Sequence, residues 1–426
     1  MLDPKLLREN PDYVKQNLSK RKDPEKIKLV DDFLRVDKEW RETNTKIQEL
    51  RHKRNQAAQE IPKLKGEEKQ KLIQEMKKIA KQIEEMEIKL KELAEKRQWI
   101  LDRIPNLVHE SVPYGESDED NVEIRRWGKP RKFDFEPKDH ITLMKNLDLV
   151  DLERAAKVSG SRFYYLKNEA VVLDMALLLY AIDFLRKEGF TPFVTPSLVR
   201  KRALYGTGFL PTGEDDIYKI EGEDLALIGT SEVALGGLHM DEIFLADELP
   251  RWYAGISPCY RTEASATTGA DKGIFRVHEF RKVEMYKYCL PEKSWEEHEH
   301  LIQVAEKITQ SLGIPYRVVN VCTGDLGNVA AKKYDIEAWM PGQQRFREIV
   351  SCSNTTDYQA RRLKVRYRLK EGAPVEGYVH TLNSTALADV RMLIAIIENY
   401  QQEDGSIEIP KVLRPYTGFD KIPVKQ

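Results

Sequence analysis

Two stretches between residues 33 and 100 restrict the fold more than anything else in the chain. In the first, Phe33, Val36, Trp40, Thr43, Ile47, Leu50, Arg54, Ala57 and Ile61 step by alternating threes and fours. In the second, Leu72, Met76, Ile79, Ile83, Met86, Leu90, Leu93, Arg97 and Ile100 do the same. That spacing is the seam of a coiled coil. Between them lies "EIPKLKGEEK", whose Pro62 and Gly66 punctuate helices. Two helices joined by one short breaker must fold back on each other. The pattern therefore predicts an antiparallel helical hairpin over about 28–100, an arm of roughly 50 Å at 1.5 Å per residue.

Most of such an arm is wet, so its charge is informative. Residues 46–81 hold 11 Lys and Arg against 5 Glu, near +6, in a chain whose net charge is −1. On charge alone two readings stay open. One is a solvated coiled coil kept soluble by lysine. The other is a basic probe that grips a phosphate backbone.

At 426 residues the chain has room for two or more domains. With 69 Lys+Arg against 70 Asp+Glu, no global polyelectrolyte character points to nucleic acid, and charge must be read locally. Cys259, Cys289, Cys322 and Cys352 form no C-x-x-C pair, which argues against structural zinc and a disulfide scaffold. "MLDPKLLREN" carries no apolar leader core, and no run approaches a membrane span. A soluble, cytoplasmic protein is expected. From about 104 the texture turns globular. "IPNLVHESVPYGESDEDNVEIRRWG" reads as a linker, with Pro105, Pro113 and an acidic run. "VVLDMALLLYAIDFLRKEG" reads as an apolar helix stopped at Gly189, and "FTPFVTPSLV" as an edge strand interrupted by Pro192 and Pro196. That pair suits a dimer surface as well as it suits a buried core.

"FRVHEFRKVEMY", Phe275 to Tyr286, reads as a strand with one mostly apolar face. The other face carries Arg276, His278, Phe280, Lys282, Glu284 and Tyr286. At period 2 it offers a cation, an aromatic plate and a carboxylate along roughly 26 Å. These would suit phosphate, a base and an ammonium group. "CYRTEA" puts Arg261 and Glu263 two apart, hence on one strand face, and a polar loop, "TEASATTGADKGIF", leads on to Arg276. "GTSEVALGGL" presents Thr230, Ser231 and Glu232; "FREIVSCSN" presents Glu348 and Ser351; "HTLNSTALADVRM" carries Thr385 and Arg391. Arg261, Arg276 and Arg391 are three forked donors suited to phosphate oxygens. Neither a P-loop nor a G-x-G-x-x-G is present.

With a long hairpin before them, "YRTEASA", "FRVHEFRKVEMY" and "NSTALADVRMLIAIIENYQ" resemble seryl-tRNA synthetase of the bacterial type, and the match runs end to end. The first two are similar to motif 2 of class II synthetases, the last to motif 3, and "EGFTPFVTPSLV" to motif 1, the dimer-forming segment. Motif 3 departs from the usual glycine-rich pattern at Ala386, Ala388 and Val390. The resemblance implies an α+β fold: an antiparallel sheet flanked by helices, with an N-terminal tRNA-binding domain (1–103) and a catalytic domain (104–426). It implies activation of L-serine with ATP and transfer to serine tRNA by a homodimer, with selenocysteine tRNA as a second candidate acceptor.

The resemblance also implies a role for each site residue. Arg261 holds the α-phosphate with Thr262 and Glu263 nearby, and Arg276 reaches the β/γ end. Phe280 and Arg391 sandwich adenine, and the Val277 backbone reads its edge. Glu348 and Ser351 hold Mg²⁺, with the Ile349 and Val350 backbone beside the ribose. Thr230, Ser231, Glu232, Glu284 and Thr385 surround serine. Arg261, Glu348 and Arg391 carry the chemistry. His278 is a weaker candidate as base than as a hydrogen-bonding residue, and Lys282 has no role. With the family in view the arm reads as the grip on the long variable arm of the tRNA, through Arg51, Lys53, Arg54, Lys77, Lys78 and Lys81. Two other readings are an amino acid:carrier-protein ligase, opposed by the basic arm, and a non-catalytic RNA-binding scaffold, opposed by the intact arginines and glutamates.

Overall fold

The computed structural model describes residues 1–264 and 273–424. Most of the polar loop before Arg276 lies outside them. Two compact units are formed, 1–107 and 108–426.

In the first unit, α1 (Pro24–Glu60) and α2 (Gly66–Leu101) make the hairpin, joined by a short 3₁₀ turn, Ile61–Lys63. Asp23 caps α1 by accepting from the Glu25 amide, and Pro24 sits at its first turn, where a missing N–H costs nothing. At 1.5 Å per residue, 37 residues make an arm of roughly 55 Å. Ile47, Leu50, Ile79 and Ile83 form its dry seam, flanked by Met76, Met86 and Leu90. The seam departs from the expected pattern at its two arginines. Arg54 is exposed. Arg97 enters the seam because Asp37, fully buried, binds its Nε at 2.6 Å. The rings of Phe33 and Trp40 lie 5.2 and 5.3 Å from the same guanidinium.

The second unit is built on an eight-stranded sheet. Its strands are β1 (Val122–Trp127), β2 (Thr191–Val194), β3 (Arg251–Tyr260), β4 (Glu279–Cys289), β5 (Tyr316–Asn320), β6 (Lys332–Met340), β7 (Arg345–Thr356) and β8 (His380–Ala388). They run in the order β1-β5-β6-β7-β8-β4-β3-β2. Every neighbour pair is antiparallel except β2 with β3. Helices α3 (Glu169–Lys187), α4 (Ser294–Ser311) and α5 (Asp389–Asn399) contribute Leu173, Leu177, Leu301, Ile308, Leu393 and Ile397 to the core beside the sheet's Val283, Met285 and Ile336.

Three expectations are corrected. The linker contains β1, because "VEIRRW" pairs with β5 as an edge strand that leaves its side chains largely in solvent. β4 begins only at Glu279, so Phe275–His278 is not extended strand. β3 ends at Tyr260, and Glu263 has φ 52°, so Arg261 and Glu263 do not share a strand face. "FTPFV" does supply an edge strand, β2. The preceding α3 leaves Val171, Val172, Met175 and Leu179 exposed, and Val194 stands 88% exposed beyond it. All four cysteines are free and buried. Among the described residues no helix is long and apolar enough to cross a membrane.

Three register shifts bend the middle of the sheet. Opposite β6, Ile336 pairs with Val350 and Glu337 with Glu348, leaving Ile349 as an extra residue. Thr355 is extra between β7 and β8, and Ala386 between β8 and β4. Bulges of this kind re-aim side chains and gather at functional sites.

Candidate active site

A cavity of about 270 Å³ lies over the bulged strands. Its walls bring together Thr230, Glu232, Arg261, Glu263, Arg276, Val277, Phe280, Glu284, Glu348, Ile349, Ser351, Thr385 and Arg391 from the candidate set. Glu348 and Ser351 are three apart, which in a regular strand puts them on opposite faces. The bulge at Ile349 is what returns both to the cavity. The same device at Ala386 puts Ala388 on the wall with Thr385.

At one end the guanidiniums are held by local partners. Arg261 donates from Nε to the Gly229 carbonyl at 3.3 Å, and its charge sits 5.3 Å from the Phe280 ring. Arg276 reaches Glu263 at 2.7 Å. Arg391, in the first turn of α5, donates to the Glu348 carbonyl oxygen at 3.0 Å and meets its carboxylate at 3.3 Å. Desolvation pushes the Glu348 carboxyl up, but the charges of Arg391, Lys333 and Arg261 outweigh it and hold the pKa below the ordinary range. Glu348 is therefore an anion here.

The other end is carboxylate-rich. Glu284 is 2% exposed and pairs with Lys282, itself buried, at 2.6 Å. Burial raises the Glu284 pKa against the pull of Lys282. Glu232 accepts at Oε1 from Gln359 (2.8 Å) and Asn383 (2.9 Å). Burial, reinforced by the charge of Glu284, lifts its pKa to about 7.

Some candidates lie elsewhere. The Ser231 hydroxyl donates to the Gly255 carbonyl at 3.0 Å, turned into β3 rather than the cavity. It packs there because Gly255 has no Cβ; one would meet Ser231 at 3.0 Å. Thr262 donates to the Asp215 carbonyl at 2.5 Å and lines no part of the cavity. The Val350 side chain is in the core. His278 also stays outside. Its Nδ1 lies 2.9 Å from the Arg261 carbonyl, so that nitrogen carries the proton and ties Arg261 in place. On the arm, Lys53, Arg54, Lys77 and Lys78 are exposed, while Arg51 pairs with Glu87 at 2.7 Å and Lys81 with Glu85 at 3.9 Å.

The cavity wall also includes Phe209, Phe275, Lys282, Ser353 and Asn383, to none of which the sequence assigns a role. Ser353 and Asn383 follow from period 2 with Ser351 and Thr385, a signal present in the sequence. Phe275 is buried in the core and also borders the cavity, its ring 4.9 Å from the Arg391 charge.

The chain is similar to known proteins throughout. Residues 1–108 match the model of the seryl-tRNA synthetase N-terminal domain, and 217–400 that of the tRNA synthetase class II core domain (G, H, P, S and T). A serine–tRNA ligase of Pyrococcus abyssi is 53% identical over 99% of this chain and 97% of its own length. Seryl-tRNA synthetase from Pyrococcus horikoshii, solved with ATP, superposes with a TM-score of 0.95 at 50% identity, covering both chains fully. The cytoplasmic enzyme of Naegleria fowleri, solved with AMP, superposes with 0.88 at 34% identity over 100% and 99% of the two chains. An N-terminal hairpin domain and a class II core, matched together over nearly the whole length, make this chain a member of the seryl-tRNA synthetase family.

Proposed function

We propose that the chain is a serine–tRNA ligase whose cavity holds ATP at the arginine end and serine at the Glu232–Glu284 end. The observation that carries this reading is the joining, in one cavity, of three guanidiniums and three aromatic rings to a buried carboxylate pair. The relative from Pyrococcus horikoshii was solved with ATP.

In the first step a serine carboxylate oxygen attacks the α-phosphorus of ATP in line. The bond to the bridging oxygen breaks and pyrophosphate leaves, giving seryl-adenylate. Arg261 stands at the α-phosphate and Arg276 at the β/γ end, where they offset charge that grows in the transition state. Phe280 and Arg391 enclose the adenine, and backbone from Val277, Ile349 and Val350 borders base and ribose. No side chain acts as nucleophile, so alignment supplies much of the rate. In the second step a hydroxyl of the tRNA's 3′-terminal ribose attacks the adenylate carbonyl and AMP leaves.

Glu348 and Ser351 suit a Mg²⁺ ion. Both are hard oxygen donors on the same wall, and Glu348 is held ionised. Bound there, the ion would neutralise charge between phosphates. Glu284, with Thr230, Thr385 and Glu232, faces the serine ammonium and hydroxyl. A site that pairs a hydroxyl with buried groups rejects alanine, which leaves those groups unpaired. The first unit takes the tRNA through the basic half of its arm.

Serine-dependent exchange of ATP with pyrophosphate tests the assignment. Arg391→Ala should lose roughly 10²- to 10³-fold in exchange, the range for one preorganised charge donor. Normal exchange in that variant would remove Arg391 from the ATP site, and exchange with another amino acid but not serine would sink the substrate.

Homodimerisation through α3 and β2 accounts for the exposed Val171, Val172, Met175, Leu179 and Val194. Light scattering should give twice the 49.5 kDa chain mass, and Leu179→Glu should shift it towards 49.5 kDa. A parent mass of one chain refutes the dimer.

A further inference from the structure

Behind the serine end, across a wall made by Phe209, Glu232, Ser353 and Asn383, lies a second cavity of about 210 Å³. Its far side is mainly Leu326, Gly327, Val329 and Ala330. Three of the four shared residues are polar, and the Glu232 carboxylate must keep one position if the two spaces are to stay separate. Building on the assignment of serine to this end, we propose that Gln359, which lines neither cavity, is the positioning residue that holds Glu232 as the partition and so limits the site to an amino acid of serine's size.

Gln359 is fully buried in the short helix Tyr358–Leu363 that follows β7. Its amide nitrogen has two hydrogens, and both are used: one reaches the Thr207 carbonyl at 2.9 Å, the other Glu232 Oε1 at 2.8 Å. Its carbonyl oxygen accepts from Tyr286 Oη and from Thr381 Oγ1, each at 2.8 Å. With donors on one side and acceptors on the other, the amide has a single orientation; a flip would set two hydroxyl donors against N–H and leave two oxygens facing oxygen. Asn383 supplies a second N–H to the same Oε1 at 2.9 Å. Oε1 is thereby saturated, and Oε2 is left as the oxygen that meets a ligand. Without Gln359 one anchor goes, Glu232 turns, and the wall opens into the apolar cavity behind it.

The pH profile distinguishes this clamp from a merely structural role. The groups acting on Glu232 are Glu284, which raises its pKa, and Gln359, Lys282 and Arg261, which lower it. kcat/KM for serine reports ionisation of the free enzyme, so it should climb with pH and level off near the Glu232 pKa of about 7. Losing the Gln359 hydrogen bond removes a stabiliser of the anion, so the inflection must move to higher pH.

The test uses the full-length enzyme in ATP–pyrophosphate exchange. Gln359→Leu should lower kcat/KM for serine roughly 10- to 100-fold, the loss of one hydrogen bond to a charged group. It should also raise the serine inflection, narrow the preference for serine over threonine and leave the KM for ATP unchanged. Thr381→Val, which removes one bond to the Gln359 oxygen, should move the same readouts less far and decides the matter if Gln359→Leu does not fold. An unchanged serine inflection and threonine preference, or serine and ATP constants that shift together, overturns the proposal. Glu284→Ala separates the two levels: if it too spares serine, the serine assignment has failed rather than the clamp.

Discussion

Glu284→Ala should raise the KM for serine in pyrophosphate exchange by roughly 10²- to 10³-fold, as breaking a buried charge pair costs about 3–5 kcal/mol. The KM for ATP should change far less, because the ion pair of Glu284 is with Lys282 and not with any of the three arginines. Two losses combine in the variant. Serine's ammonium loses its partner, and Lys282 is left buried without the carboxylate 2.6 Å away. The double variant Lys282→Met with Glu284→Ala separates them. It removes the stranded cation and should recover stability, yet serine should still bind poorly. Full recovery of serine use in the double variant would mean that Glu284 only neutralises Lys282.

Removing residues 30–98 should leave serine-dependent exchange intact and abolish charging of serine tRNA. The basis is the division into units 1–107 and 108–426, with every wall residue of the cavity in the second. The finer variant replaces Arg51, Lys53, Arg54, Lys77, Lys78 and Lys81 with alanine. If these six cations meet six phosphates, affinity in the parent falls roughly 10³-fold for a fourfold rise in salt, with a slope near −0.9 per contact. The variant should bind weakly and lose most of that slope. Arg51 and Lys81 already sit in exposed ion pairs, which are worth at most about 1 kcal/mol and yield readily to phosphate. Unchanged charging by the deletion would refute the arm's role.

The hairpin was legible because a coiled coil writes its packing into local spacing: each seam residue meets a neighbour three or four positions along. Arg97 shows the limit. Its place in the seam depends on Asp37, sixty residues away, which no periodicity connects to it. In the second unit, alternation identified the face of β4 carrying Phe280, Lys282 and Glu284, and all three line the cavity. Alternation failed at Arg276, where the chain bends before β4 begins, although the residue still arrives at the cavity. Lys282 had no reading because its partner is two residues along on the same face, a pairing that becomes visible only when both are buried. Gln359 was invisible for a deeper reason: apart from a long contact from Thr355, its side-chain hydrogen bonds reach Thr207, Glu232, Tyr286 and Thr381, so its meaning is almost wholly tertiary.

The extra residues at Ile349, Thr355 and Ala386 have a consequence for how such a site can change. Side-chain direction along a strand is a matter of odd and even, and each extra residue flips that parity for everything beyond it. Glu348 with Ser351, and Thr385 with Ala388, are odd separations made to behave as even ones. Deleting Ile349 would alter no charged or polar group, yet it would send either Glu348 or Ser351 to the far side of the sheet. The chemistry of this wall is therefore stored in residue count as much as in residue type. A variant can keep every functional side chain and still lose the site by being one residue shorter.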